Sequence, residues 1–303
     1  KNKKKFEEKE LKVDEPKITN KEIFKKIVVY AFPLIMIDIF KSLYSMVDSV
    51  TVVKTLGHIY DTSTAESIMS ILSTWGAKFN MIIISIATGM IVSLTPNLAS
   101  AAVLGNKKDI HKKINQSFQM LLFLTVPMTV GLSFLSKPVY TIFYGASKYG
   151  PSVLTFYIFV ALVTCLFTTA ITITQVLKYY KTVFVSLASG LLLKSLLNIS
   201  LINQLYSIGL PAYYGSILAS IIGYGVSLII CLITLNRKCG VKYEETVKQF
   251  INILCGTVLM VLVLALLKLV VPISSTTRLL NIPIIILYTL VGGCVYFIYM
   301  IKT

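Results

Sequence analysis

The chain has 303 residues, of which 55% are hydrophobic and only 14% are charged, and its formal net charge is +16. Soluble domains carry about 25% charged residues, so this composition excludes an ordinary soluble enzyme and a disordered chain. It indicates several membrane-spanning segments, and the basic excess then needs an explanation other than nucleic-acid binding.

Eight apolar segments are long enough to cross a membrane, because a span needs about 20 mostly apolar residues. Their apolar runs are continuous, which predicts helices rather than the alternating strands of an outer-membrane barrel. We therefore expect an all-α, polytopic membrane helix bundle. The predicted spans are residues 27–53, 80–104, 114–136, 152–177, 182–203, 212–235, 250–271 and 280–301.

Basic residues are distributed unequally between the two sides of these spans. Of the 29 Lys and Arg residues, 21 lie on the side of the N-terminal tail, five on the other side and three within spans. By the positive-inside rule, this bias predicts that both ends of the sequence are cytoplasmic. The net charge thus reflects topology and attraction to anionic membrane lipids, and we expect no nucleic-acid partner.

Two loops on the less basic side contain apolar stretches that are too short to span. In residues 54–79, Ser63 and Glu66 have the spacing of a capping box. Four apolar residues that follow share one helical face: Ile68, Ile71, Leu72 and Trp75. This pattern favours a helix lying at the membrane interface, and a plain loop is an equally good alternative. Residues 137–150 should dip into the interface in the same way.

The first span contains ionisable residues, which are costly inside a membrane and therefore mark candidate functional positions. At about 100° per residue, six polar residues fall within an arc of about 120°. They are Asp38, Lys41, Ser42, Ser45, Asp48 and Ser49. Such a face should meet other helices or a water-filled cavity rather than lipid. An Asp38–Lys41 pair that only joins helices is the alternative, but it leaves Asp48 unexplained.

The fifth span holds a second candidate set, because Lys194 and Asn198 are four residues apart and share a helix face. Lys194 needs an acidic partner, and the only acids within the predicted spans are Asp38 and Asp48. We therefore predict that Lys194 contacts one of these two carboxylates. The candidate residues for a substrate cavity or an ion pair are thus Asp38, Lys41, Ser45, Asp48, Lys194 and Asn198.

The sequence gives no indication of a cofactor or a catalytic motif. Its five cysteines form no CxxC pair, and His58 and His111 lie in distant loops, so we expect neither a metal site nor a disulfide. It contains no P-loop, GxSxG or HExxH motif, and its loops are too short for a soluble catalytic domain. We therefore expect no enzyme.

Four stretches match the patterns of one family in order and in spacing. They are residues 93–101 (SLTPNLASA), 136–145 (SKPVYTIFYG), 190–198 (GLLLKSLLN) and 208–220 (IGLPAYYGSILAS). In these stretches the chain resembles polysaccharide-export and lipid II flippase proteins, which include stage V sporulation protein B-like and MviN-like members and have a MATE-like fold. The resemblance extends from about residue 23 to residue 235.

This resemblance implies a protein with fourteen helices, arranged as two six-helix lobes and two further helices. The eight spans correspond to helices seven to fourteen, so we expect a piece of a longer protein, with the N-terminal lobe of the same chain missing from it. The implied domains are a cytoplasmic basic linker at 1–26, a six-helix lobe at 27–235 and two additional helices at 236–303. The implied location is the cytoplasmic membrane of a bacterium.

The implied function is the outward movement of a lipid-linked oligosaccharide or peptidoglycan precursor by alternating access. Lys41 is the candidate to contact the pyrophosphate of such a lipid-linked sugar. A drug or cation antiporter of the same fold is the alternative, although Lys41 and Lys194 disfavour it. A membrane glycosyltransferase or polymerase is a more distant alternative, since the outer loops hold few charged residues.

The resemblance also bears on sodium, because some flippases of this family have a sodium site in this half of the protein. The matching positions are Asp38 or Asp48, Lys194 with Asn198, and Ser220. A lysine at such a site departs from the pattern. We therefore expect that its ammonium takes the place of the cation and that sodium is not bound.

Overall fold

The computed structural model describes residues 19–273 and 281–303, and the regular structure within these ranges is entirely helical. Most of the predicted linker and Arg278 lie outside the described residues. The described ranges form ten α-helices: α1 (Asn20–Gly57), α2 (Thr62–Ser70), α3 (Gly76–Val103), α4 (Lys107–Phe134), α5 (Ser136–Tyr144), α6 (Gly150–Val176), α7 (Tyr180–Ser207), α8 (Tyr214–Cys239), α9 (Glu244–Val270) and α10 (Asn281–Lys302). A π-helical turn, Ile71–Trp75, connects α2 to α3.

Within the described residues, seven helical segments are long and apolar enough to cross a membrane. They comprise α2 and α3 as one continuous segment, together with α4, α6, α7, α8, α9 and α10. The helices α3, α4, α6, α7, α8, α9 and α10 each overlap one predicted span, with ends that differ by up to seven residues, and α1 covers the remaining span at 27–53. The predicted all-α membrane helix bundle is therefore confirmed.

The chain divides into two compact units, of which the first ends at Ile39 and the second comprises Phe40–Thr303. In the second unit, α7 packs most extensively against α8, and α6 lies against α3, α4 and α8. The last two helices, α9 and α10, pack against each other, and α9 also packs against α4. The second unit therefore contains the helices that position the candidate site.

The close packing of α7 and α8 depends on a glycine. A Cβ atom built on Gly215 would lie 2.5 Å from the Cα atom of Ile202, whereas real Cβ atoms essentially never come within 3.0 Å of another atom. Small residues commonly allow such close approach between helices in membranes, where packing rather than hydrophobic burial drives association. The backbones of α7 and α8 therefore touch at this point without an intervening side chain.

The helix predicted within residues 54–79 is present, but its cap and its surroundings differ from the prediction. The carboxylate of Asp61 accepts a hydrogen bond from the Thr64 backbone N–H at 2.9 Å, so Asp61 rather than Ser63 is the N-cap. Hydrogen bonds from Thr64 stabilise the charged form of Asp61 and lower its pKa. Three members of the predicted apolar face, Ile68, Ile71 and Leu72, pack into the protein core, whereas Trp75 is 38% exposed.

Asn115 connects α4 to the segment that precedes α9. Its amide nitrogen donates to the Lys242 carbonyl at 2.9 Å, and its amide oxygen accepts from the Thr246 hydroxyl at 2.6 Å. We expect Asn115→Ala to lower the free energy of unfolding by about 1–3 kcal/mol, because Thr246 is buried and would lose this partner. Thermal unfolding in detergent measures the loss. The exposed Asn203 provides the control, and an equal loss in Asn203→Ala would contradict this role of Asn115.

Candidate functional site

A polar cluster joins α1 to α7 inside the helix bundle. The side chain of Lys194 is only 3% exposed, and its ammonium donates to Asp48 Oδ2 at 2.7 Å. The same ammonium donates to the backbone carbonyl of Tyr44 at 2.8 Å. The predicted contact between Lys194 and a carboxylate of the first span is thus present, and Asp48 provides it.

Asn198 lies one turn after Lys194 on α7 and extends the same contact. Its amide nitrogen donates to Asp48 Oδ1 at 3.2 Å and to the Thr51 hydroxyl at 2.6 Å. Both carboxylate oxygens of Asp48 therefore accept a hydrogen bond from α7. The amide oxygen of Asn198 is buried, and no partner for it is found among the described residues.

The two charged groups of this cluster differ in their exposure. Lys194 is almost fully enclosed, whereas the side chain of Asp48 is 23% exposed. A buried charge without its partner is strongly destabilising, while a partly exposed charge can still be solvated. Removing the carboxylate should therefore lower the free energy of unfolding more than removing the ammonium.

Tyr44 anchors the same part of α1. It is 1% exposed, and its ring stacks on that of Tyr224 with the centroids 4.3 Å apart. The ammonium of Lys194 lies 5.3 Å from the centroid of the Tyr44 ring, within the range of a cation–π contact. The Tyr44 hydroxyl lies 3.4 Å from that of Ser227 on α8. Tyr44 therefore connects α1 to both α7 and α8.

We expect Tyr44→Ala to lower the free energy of unfolding by about 3–5 kcal/mol, because it empties a buried aromatic site. Tyr44→Phe keeps the ring and removes only the long hydrogen bond to Ser227, so it should cost about 1 kcal/mol or less. Thermal unfolding of both variants in detergent measures the difference. Equal losses would indicate that the hydroxyl, and not the ring, holds α1.

Two of the other three candidate residues of α1 are more exposed than Asp48. Lys41 is half-buried, and Ser45 is exposed. Asp38 is also exposed and lies almost three helical turns before Asp48 on the same helix. The polar face predicted for the first span is therefore not uniform, because its Asp48 edge packs against α7 while its serine edge is exposed.

Ser220, which the family resemblance matched to a sodium site, makes a different contact. Its hydroxyl donates to the backbone carbonyl of Ser216 on its own helix at 2.9 Å. This is the common intrahelical hydrogen bond of serine in a helix, one turn back along the chain. Ser220 is buried, but this hydrogen bond directs its hydroxyl to α8 itself.

Sequence reasoning did not find Tyr44 and Thr51, although a signal for both exists. They lie four residues before and three residues after Asp48, so all three share one side of α1. A matching signal on α7 is Gly190, which lies one turn before Lys194 and marks a place of close helix approach. Uncharged residues one helical turn from a charged residue in a span therefore help to predict which residues form the contact between two helices.

Comparison with known proteins finds similarity to lipid II flippases. No protein-family model matches it. The chain is 32% identical over 247 residues to the "Lipid II flippase MurJ" of Bacillus subtilis (strain 168), a match that covers 80% of this chain and 44% of that protein. A solved structure, "Lipid II flippase MurJ, inward closed conformation", matches with a TM-score of 0.66 at 18% identity, covering 91% of this chain and 54% of that one.

The chain thus spans about half the length of the proteins that it matches. The sequence match establishes homology to MurJ over 247 residues, and the structural match establishes the same fold. Together they confirm the family resemblance found in the sequence. With its apolar helices, the chain is a multi-pass membrane protein.

Proposed function

We propose that this homologue of the lipid II flippases forms half of a flippase for a lipid-linked oligosaccharide or peptidoglycan precursor. The cargo moves outward across the cytoplasmic membrane of a bacterium, and the protein acts as a transporter without catalysing a reaction. The observation that carries this proposal is the 32% identity to MurJ, because it extends over 80% of the chain rather than over one motif.

Such a flippase needs two lobes around a central cavity. We assign residues 27–235 to a six-helix lobe, residues 236–303 to two additional helices and residues 1–26 to a cytoplasmic linker. A second helical lobe is then the required partner, which agrees with a chain that spans about half the length of MurJ. The excess of basic residues on one side supports cytoplasmic ends for this segment.

Alternating access moves each lobe largely as a rigid body. The Lys194–Asp48 pair and the buried Tyr44 ring hold the second half of α1 against α7 and α8. We therefore assign the pair, with Asn198, to the internal cohesion of the lobe and not to cargo contact. The remaining candidates, the half-buried Lys41 and the exposed Ser45 and Asp38, are assigned to the cavity, where Lys41 would contact the pyrophosphate.

The Lys194–Asp48 pair also indicates whether sodium can bind at this place as a coupling ion. A monovalent cation at this place would need the oxygen atoms of Asp48 and the carbonyl of Tyr44 as ligands. These atoms already accept hydrogen bonds from Lys194 and Asn198. We therefore propose that the ammonium of Lys194 is a built-in cation and that the site does not take up sodium.

A complementation experiment tests the proposed function. The full-length protein is produced in bacteria that are depleted of their own lipid II flippase, and growth and precursor accumulation are followed. We expect growth to be rescued by the unaltered protein and by Lys181→Ala, a change at an exposed lysine in the first turn of α7, but poorly by Lys41→Ala. Absence of rescue by protein that is folded in the membrane contradicts the proposal, and export of organic cations by it would favour the antiporter.

A further inference from the structure

A cavity of about 1040 Å³ opens between α3 and α4, and none of its lining residues belongs to the cluster around Lys194. Its two ends differ in chemistry. The end near the start of α4 is polar and is lined by Asn97, Asp109, Lys112, Lys113, Gln116 and Gln249. The other end is apolar and is lined by Ile86, Met90, Leu94, Met120 and Leu124.

The polar end carries more positive than negative charge. Lys113 pairs with Asp109 on the same helix at 3.6 Å, whereas no salt bridge to Lys112 is found in the described part of the chain. Lys112 and Gln116 are exposed and lie one turn apart, so they face the same way. The polar end therefore offers an ammonium and an amide donor to an anion.

The order of the lining residues along α4 matches the depth profile of a membrane leaflet. Lys112, Gln116, Met120 and Phe123 all line the cavity and change from polar to apolar along the helix. At about 1.5 Å per residue, Lys112 and Phe123 are about 17 Å apart along the axis, close to the thickness of one leaflet of the hydrocarbon core. The basic end lies on the side that holds most lysines of the sequence.

We propose that this cavity binds an anionic phospholipid from the leaflet on the basic side. The phosphate lies at Lys112 and Lys113. An acyl chain lies along Met120 and Phe123 in the apolar part of the cavity, which we call the groove. Positively charged pockets between membrane helices commonly bind anionic headgroups. This lipid is a resident component of the bilayer and is separate from the transported cargo.

Gly89 offers a way to fill the groove without disturbing the fold. It lines the cavity, and a Cβ atom built on it would have no other atom within 4 Å. A leucine at this position would therefore extend into the space that the acyl chain occupies. Gly225 on α8 has equally open surroundings and is not among the residues lining the cavity, so Gly225→Leu is a matched control.

Native mass spectrometry of the full-length protein in detergent tests the headgroup site, with phosphatidylglycerol as the probe and phosphatidylcholine of the same chains for comparison. We expect the unaltered protein to prefer phosphatidylglycerol. The double variant Lys112→Gln/Lys113→Gln should bind it about tenfold more weakly, because each lysine near the surface attracts anionic lipid. The control Lys108→Gln/Lys181→Gln removes the same charge from exposed positions outside the cavity and should change binding little.

The same mass-spectrometric binding measurement tests whether the groove holds the acyl chain. Gly89→Leu should weaken the binding of phosphatidylglycerol, whereas Gly225→Leu should leave it unchanged. Equal affinities of the Lys112/Lys113 variant and its control would overturn the proposal, and so would equal binding of the two phospholipids. Displacement of phosphatidylglycerol by a polyprenyl pyrophosphate only when Lys112 and Lys113 are present would assign the cavity to cargo and overturn it as well.

Discussion

Asp48→Ala should destabilise the protein more than Lys194→Met, although both variants lose the same ion pair. Without the carboxylate, the enclosed ammonium of Lys194 keeps only the carbonyl of Tyr44 as a hydrogen-bond acceptor, and we expect a loss of about 3–5 kcal/mol. Without the ammonium, Asp48 is still 23% exposed and still accepts from Asn198. Lys194→Met should therefore cost about 1–2 kcal/mol.

The double variant Asp48→Ala/Lys194→Met should recover most of the loss, because it leaves no buried charge. Unfolding of the four proteins in detergent measures the coupling between the two residues. Lys113→Met is the matched control, since it breaks an exposed pair with side chains 26% and 38% accessible and should change stability by about 0.5 kcal/mol or less. Additive losses, or a larger loss in Lys194→Met, would contradict the described environment of the pair.

Gly190→Ala should destabilise the protein nearly as much as Asp48→Ala, although it adds only one methyl group. A Cβ atom at this position would lie 2.5 Å from the carbonyl oxygen of Gly223, and it would collide with the hydroxyls of Ser227 and Tyr44. A backbone oxygen cannot rotate away, so α7 and α8 must separate or Tyr44 must leave its site. We expect a loss of about 3 kcal/mol, at the upper end of the usual cost of overpacking.

Thermal unfolding and the amount of folded protein in the membrane measure the effect of Gly190→Ala. The control is Gly225→Ala on α8, where an added Cβ atom meets nothing within 4 Å. This control should be neutral or more stable by up to about 1 kcal/mol, because alanine favours helices over glycine. Equal unfolding temperatures of the two variants would contradict the close contact of α1, α7 and α8 at Gly190.

The helices were predictable from the sequence because a long apolar segment in a membrane has few alternatives to a helix. The partner of Lys194 was predictable as one of two residues, because Asp38 and Asp48 are the only acids in the spans. The choice between them was not predictable. Both share one face of the first span, and helical periodicity does not fix how far one helix is shifted along another.

The surroundings of the segment at 54–79 could not be predicted from the sequence either. The stripe that contains Ile68 and Leu72 was predicted as one face, and it is one face. An apolar stripe fits a lipid surface and a protein core equally well, because both are apolar. The cap was misplaced because Asp61 and Ser63 are both good N-cap residues two positions apart.

Flipping by the reconstituted protein, with and without sodium, is the most direct test of Lys194 as a built-in cation in a lipid-precursor flippase. The full-length protein is placed in vesicles with a labelled lipid-linked precursor, in sodium salt or in choline salt of equal strength. We predict that the precursor crosses the bilayer equally fast in both salts and more slowly in Lys194→Ala. Flipping by the unaltered protein that requires sodium, or no flipping in either salt, would contradict this prediction.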